Sequence, residues 1–302
     1  MPKKKAPVGQ PTLGLPDHVR DYFRRAFAAA NHFTANLYSE NPAMHEEWLD
    51  GSFIHRLREW STPVRLDEGW VVHVGTHYLG GRRHWHNWEI ADIGLIVVLR
   101  EKGLVTRVKV AVLQSKRLYP DEISEIDELG VDDYVEGLAR LMPKDDLLEK
   151  IIGARTFRLN QGSRYRALSV KDDQWKNIED YEKNKFPVHY LFYHPVELPW
   201  EVCLPLQGGP AYRDVSIGAH VLRAKDLRTS CNQHPIGYTP SYADIHTASH
   251  WSIENFVADE VLTCREGTIS KPDSQDLFQL FYRRSGPIAA GIALTIDVPP
   301  RG

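Results

Sequence analysis

Residues 92–99 (DIGLIVVL) and 107–116 (RVKVAVLQSK) are two runs rich in Val, Ile and Leu, separated by the polar stretch Arg100-Glu101-Lys102-Gly103. Two such runs around a Gly-containing turn predict a β-hairpin. With the turn centred near Lys102 and Gly103, Asp92 lies opposite Leu113 or Gln114. Gln114 and Lys116 are two residues apart, so on a strand they share a face. A carboxylate, an amide and an ammonium therefore converge at one end of an otherwise apolar hairpin, and such a convergence calls for a chemical reason.

Upstream, the apolar positions Val19, Tyr22, Phe23, Phe27, Ala30, Phe33 and Leu37 recur at helical spacing and predict a helix over 17–40. Asn41-Pro42 breaks it, and a second helix is predicted over 43–60 with Leu49, Phe53, Ile54, Leu57 and Trp60 on its buried face. Glu46 falls in the middle of that face and Glu47 at its edge. A carboxylate among Leu and Phe is costly unless it is paired or coordinates something. Further strands are predicted at 70–78, 186–194 (FPVHYLFYH) and 288–298, an acidic helical stretch at 121–150, and helices at 249–265 and 274–284. This order predicts an α/β fold with a mixed central β-sheet flanked by helices. Residues 1–15 read as a basic flexible arm, 16–195 as the α/β core, and 196–302 as a C-terminal α+β extension packed on it.

Composition narrows the function. The chain of 302 residues is 42% hydrophobic and 25% charged, as in ordinary globular proteins, and no run approaches the roughly 20 apolar residues of a membrane helix. A net charge of −3 means that any nucleic-acid contact must be a local basic groove. Arg82, Arg83 and Trp85 in the loop before the hairpin, with Arg117 beside Lys116, combine phosphate-binding and base-stacking side chains. Cys203, Cys231 and Cys264 form no paired framework, which points to a reducing cytoplasm. His84 and His86 alternate and could share a strand face as metal ligands, but no cysteine or third histidine lies at zinc-finger spacing from them. Neither GxxxxGK[ST] nor GxSxG occurs, which argues against a phosphate loop and an α/β-hydrolase.

A helix bearing Glu46 or Glu47, a strand with Asp92-Ile93-Gly94 and a strand with Gln114-Ser115-Lys116 resembles the PD-(D/E)XK nuclease superfamily. Within it, the pattern is similar to the QxK variant of Mrr-like restriction endonucleases and related bacterial anti-phage defence nucleases. The resemblance covers roughly residues 43–195. It implies a restriction-endonuclease-like core that hydrolyses DNA phosphodiesters, RNA not being excluded, with Mg²⁺ or Mn²⁺ held by Asp92, Gln114 and Glu46 or Glu47, and Lys116 as a catalytic cation. It also implies a cytoplasmic defence effector, acting as a homodimer or with a partner protein. Two positions depart from the pattern: no Pro precedes Asp92, and Gln114 is neutral where most relatives carry an acid. The second departure raises an alternative, a catalytically degenerate nuclease fold that binds nucleic acid or a partner.

Overall fold

The computed structural model describes residues 13–78, 90–120, 155–204, 218–247, 249–281 and 288–300. Its strands are β1 (Val64–Arg65), β2 (Val71–Tyr78), β3 (Ala91–Glu101), β4 (Leu104–Arg117), β5 (Arg155–Leu159), β6 (Val188–Tyr193), β7 (Trp200–Leu204), β8 (His220–Arg223), β9 (Trp251–Ser252), β10 (Thr268–Ser270) and β11 (Ile288–Val298). The principal helices are α1 (Asp17–Glu40), α2 (Glu46–Leu57), α3 (Asp173–Asn184), α4 (Ala224–Cys231) and the single turn α5 (Tyr242–Ile245).

The predicted hairpin is present. Lys102 (φ 50°) and Gly103 (φ 80°) both take left-handed backbone, the turn geometry that suits the twist of antiparallel strands. From there β3 and β4 pair with Ile93 opposite Leu113, after one irregularity between Leu99 and Arg100. That register carries Asp92 to Gln114, as the turn position predicts. Around the hairpin lies one nine-stranded mixed sheet in the order β1-β2-β11-β3-β4-β6-β8-β9, with β10 also on β4. β4 is long enough to pair with β10 over 108–110 and with β6 over 112–117. β5 and β7 form a separate two-stranded sheet.

The boundary expected at residue 195 does not divide this sheet. β8, β9, β10 and β11 all belong to it, and β11 lies at its centre, antiparallel to β2 and parallel to β3. Its alternate residues Ile292, Leu294 and Ile296 are wholly buried, as expected of a strand with one face against the core. A Cβ on Gly94 would come within 2.5 Å of Ile288 Cδ1, so the glycine after Asp92-Ile93 makes room for β11.

Both N-terminal helices contribute to the core. Phe27 of α1 meets Phe53 of α2 edge-on at 5.9 Å, and Phe53 meets Tyr193 of β6 at 6.5 Å. α2 is shorter than predicted, giving way to a 3₁₀ turn over Arg58–Trp60. Phe33, expected on the apolar face of α1, is exposed. The predicted 249–265 helix is realised as Ile253–Asn255 continuing into a π-helical turn, Phe256–Val261. The helix predicted at 121–150 lies outside the described residues. Among the described residues, no helix is long and apolar enough to cross a membrane.

Candidate active site

The polar cluster forms where β3, β4 and β6 meet the N-terminal half of α2. Asp92 Oδ2 accepts the Gln114 side-chain Nε2–H at 2.6 Å and the Ser115 backbone N–H at 2.6 Å. On α2, Glu46 Oε1 accepts the Arg117 backbone N–H at 3.0 Å, while Glu46 Oε2 lies 3.8 Å from Lys116 Nζ. Glu46 is the first residue of the helix, where the helix dipole favours a carboxylate. One turn further on, Asp50 Oδ1 accepts the Ser115 hydroxyl at 2.6 Å and the Tyr193 hydroxyl at 2.7 Å.

The cluster is deep. Asp50, Gln114, Ser115 and Lys116 are buried, while Asp92 and Glu46 are only partly covered and open it to solvent. Burial, and next the charge of Asp92, pushes the Asp50 carboxyl well above the usual carboxylate range. Glu46 adds to the rise, against the lowering effect of the Ser115 and Tyr193 hydrogen bonds. Three acids thus repel one another, with Lys116 as the cation set among them. One further atom is out of balance: Gln114 Oε1 is buried with no hydrogen-bond partner. Buried carbonyl oxygens are nearly always satisfied. An unsatisfied carboxamide oxygen and carboxylates are the oxygen donor types that a hard divalent cation accepts. In donor type these residues suit Mg²⁺ or Mn²⁺, although Asp92, Asp50 and Glu46 are not drawn together to the spacing of one common ion in this structure.

The structure sorts the sequence-predicted residues. Asp92, Gln114, Lys116 and Glu46 are brought together. Glu47 is exposed and makes none of these contacts, so the choice between the two glutamates falls to Glu46. Arg117 is a correction to the expected nucleic-acid contact. It is buried, its guanidinium donates to Pro42 O at 2.6 Å, and it stacks 3.8 Å over the Tyr119 ring. Strand alternation turns it away from its neighbour Lys116 and under the α1–α2 connection. Arg82, Arg83, Trp85, His84 and His86 lie outside the described residues. Asp50, Ser115 and Tyr193 were missed. For Asp50 a signal was available: it stands four residues after Glu46, and therefore on the same helix face.

Neither protein-family models nor curated proteins nor solved structures give a match to this chain.

Proposed function

We propose that the protein is a Mg²⁺- or Mn²⁺-dependent nuclease that hydrolyses DNA phosphodiester bonds at the cluster on the β3–β4 hairpin. The observation that carries this reading is the unsatisfied Gln114 Oε1 on the side chain that reaches Asp92, with Asp92 and Glu46 both acting on the charge of Asp50 and Lys116 3.8 Å from Glu46. Asp92, Glu46 and Gln114 Oε1 would hold the ion. When bound, it supplies positive charge to the scissile phosphate and acidifies a water. Lys116 offers a fixed ammonium to the charge that grows on the phosphate oxygens, and its burial keeps that charge poorly screened. Asp50 acts from behind. It fixes Ser115, and through Ser115 the stretch of β4 backbone whose N–H holds Asp92. The free thiols of Cys203, Cys231 and Cys264 accord with a reducing compartment, the cytoplasm of a cell defending itself against foreign DNA.

A second reading is favoured by one observation. Gln114 Nε2 already donates to Asp92, which partly closes the site without an ion. A fold kept in that closed form would bind nucleic acid or a partner without cutting. Incubating supercoiled plasmid with the protein and Mn²⁺, against the Asp92→Asn variant, separates the two. Cleavage by the first and none by the second is the expected result. No cleavage by the unaltered protein, with the plasmid nonetheless retarded by it in a gel, would favour the binding module.

A further inference from the structure

A second polar cluster, separate from the acids around Asp92, occupies the ends of β6 and β8. His194 follows β6, His220 opens β8 opposite Phe192, and His246 follows α5. One nitrogen of each lies within 4.8 Å of the other two. His194 Nε2 and His246 Nε2 face each other at 3.2 Å. Four-coordinate zinc, with Zn–N bonds of about 2.0–2.1 Å, keeps its nitrogens roughly 3.3 Å apart. The pair therefore already stands at ligand spacing, and the third imidazole needs only a small closure.

The surroundings are those of a metal site rather than of aromatic packing alone. The Tyr165 hydroxyl lies 3.1 Å from His194 Nδ1 and 3.4 Å from both His194 Nε2 and His246 Nε2, so it borders the cluster as a polar neighbour of two of the imidazoles. Tyr242 stacks on the His246 ring at 3.9 Å and fixes its plane. His250 packs edge-on at 4.7 Å from His220 and 4.6 Å from His246, centroid to centroid. His220 Nδ1 is buried with no hydrogen-bond partner, so this ring keeps an unsatisfied nitrogen.

We propose that His194, His220 and His246 form a three-histidine zinc site that clamps the ends of β6 and β8 to the segment carrying α5. Imidazole nitrogens suit zinc, whereas the oxygen-rich cluster at Asp92 suits magnesium or manganese, so the two sites select different ions. The inference does not rest on the nuclease reading.

The test uses the full chain stripped with chelator and titrated with Co²⁺, then Zn²⁺. Stoichiometric Co²⁺ should give the intense visible absorption of a tetrahedral, nitrogen-ligated ion, and Zn²⁺ should displace it. His220→Gln and His246→Gln should each weaken Zn²⁺ binding by roughly 100-fold or more, since loss of a ligand costs at least as much as loss of an outer contact. Both should retain the Mn²⁺ response of the Asp92 cluster, and Asp92→Asn should retain Zn²⁺. A Co²⁺ spectrum showing only weak octahedral bands would overturn the proposal without recourse to any variant. Zn²⁺ affinity unchanged in both folded histidine variants would overturn it as well.

Discussion

The Ser115 hydroxyl donates to Asp50 Oδ1 at 2.6 Å, joining residues 65 positions apart in the chain. The backbone N–H of the same serine goes to Asp92 Oδ2 at 2.6 Å. One small residue thus holds two carboxylates that repel each other, and the strain of that arrangement falls on Asp50, the more buried of the two.

Replacing Asp50 should therefore stabilise the metal-free protein. Asp50→Asn keeps an oxygen for Ser115 and Tyr193 and removes a buried charge, a change worth about 1–3 kcal/mol. Melting curves in chelator should show a Tm a few degrees above that of the unaltered protein. The same variant should lose most of the Tm gain on adding Mn²⁺, because the cation no longer relieves that repulsion. A lower Tm in chelator would show that Asp50 is a structural acid.

The pH dependence has a definite sign. The folded pKa of Asp50 is raised above the unfolded value of about 3.9, so the native state keeps a proton that the unfolded chain releases. Its contribution is whole below about pH 4 and is lost as the pH rises through the folded pKa. Urea unfolding of the metal-free protein between about pH 4 and pH 8 should show the advantage of Asp50→Asn growing with pH. An advantage that is constant, or that shrinks, would contradict the assignment.

Glu266 gives the opposite sign at the other end of β6. Burial pushes its carboxyl up, but hydrogen bonds from His189, at 3.0 Å, and from Arg223 prevail and hold it at about 2. A depressed carboxylate contributes stability that is present above its unfolded pKa, about 4.3, and lost as the pH falls toward 2. The contribution is on the order of 3 kcal/mol. Glu266→Gln should cost about that much at pH 7 and flatten the acid limb of the unfolding curve. Unaltered acid sensitivity in the variant would exclude Glu266 as its source.

What was legible in the sequence was what local geometry decides. The turn at Lys102-Gly103 fixes the β3–β4 register, and the register alone brings Asp92 to Gln114. Helix periodicity likewise put Glu46 on the buried face of α2. Sheet order is set by packing between distant segments, so nothing local announced that β11 would enter between β2 and β3. Tyr193 joins the site for the same nonlocal reason, through the parallel pairing of β6 with β4. Arg117 misled because a Lys-Arg pair reads as a basic patch, whereas strand alternation sends the two side chains to opposite faces. The histidine cluster was hidden because its members come from three separate elements, with no metal-ligand spacing between them.

Gln114 tests the ion directly. Gln114→Ala deletes the orphaned oxygen and should weaken Mn²⁺ binding, measured by calorimetry or by its effect on Tm. Gln114→Glu should keep or tighten it, while losing the donor to Asp92 and adding a fourth acid beside Asp50 and Glu46. That variant should be less stable than the unaltered protein in chelator and regain stability with Mn²⁺. Equal Mn²⁺ affinity in both variants would remove Gln114 from the site.

Lys116 separates catalysis from folding, provided the right substitution is used. Truncating a solvated lysine costs little, but Lys116 is only 4% exposed, so Lys116→Ala would open a cavity as well as remove a charge. Lys116→Met preserves the volume, and exchanging a buried charge for an apolar side chain of similar size is often close to neutral. Glu46 keeps its hydrogen bond from the Arg117 N–H and its partial contact with solvent, so losing the lysine does not strand it. The Tm of Lys116→Met should therefore move by no more than a few degrees. Electrostatic stabilisation of a phosphoryl-transfer transition state is worth roughly 10²–10³-fold in rate, a loss that such a small change in stability would not produce. Plasmid cleavage in Mn²⁺ should fall by that factor while Mn²⁺ affinity holds or rises, since a cation has left the site. Full cleavage by Lys116→Met would end the catalytic assignment. A collapse in Tm with cleavage per folded molecule unchanged would make Lys116 the structural partner of Glu46.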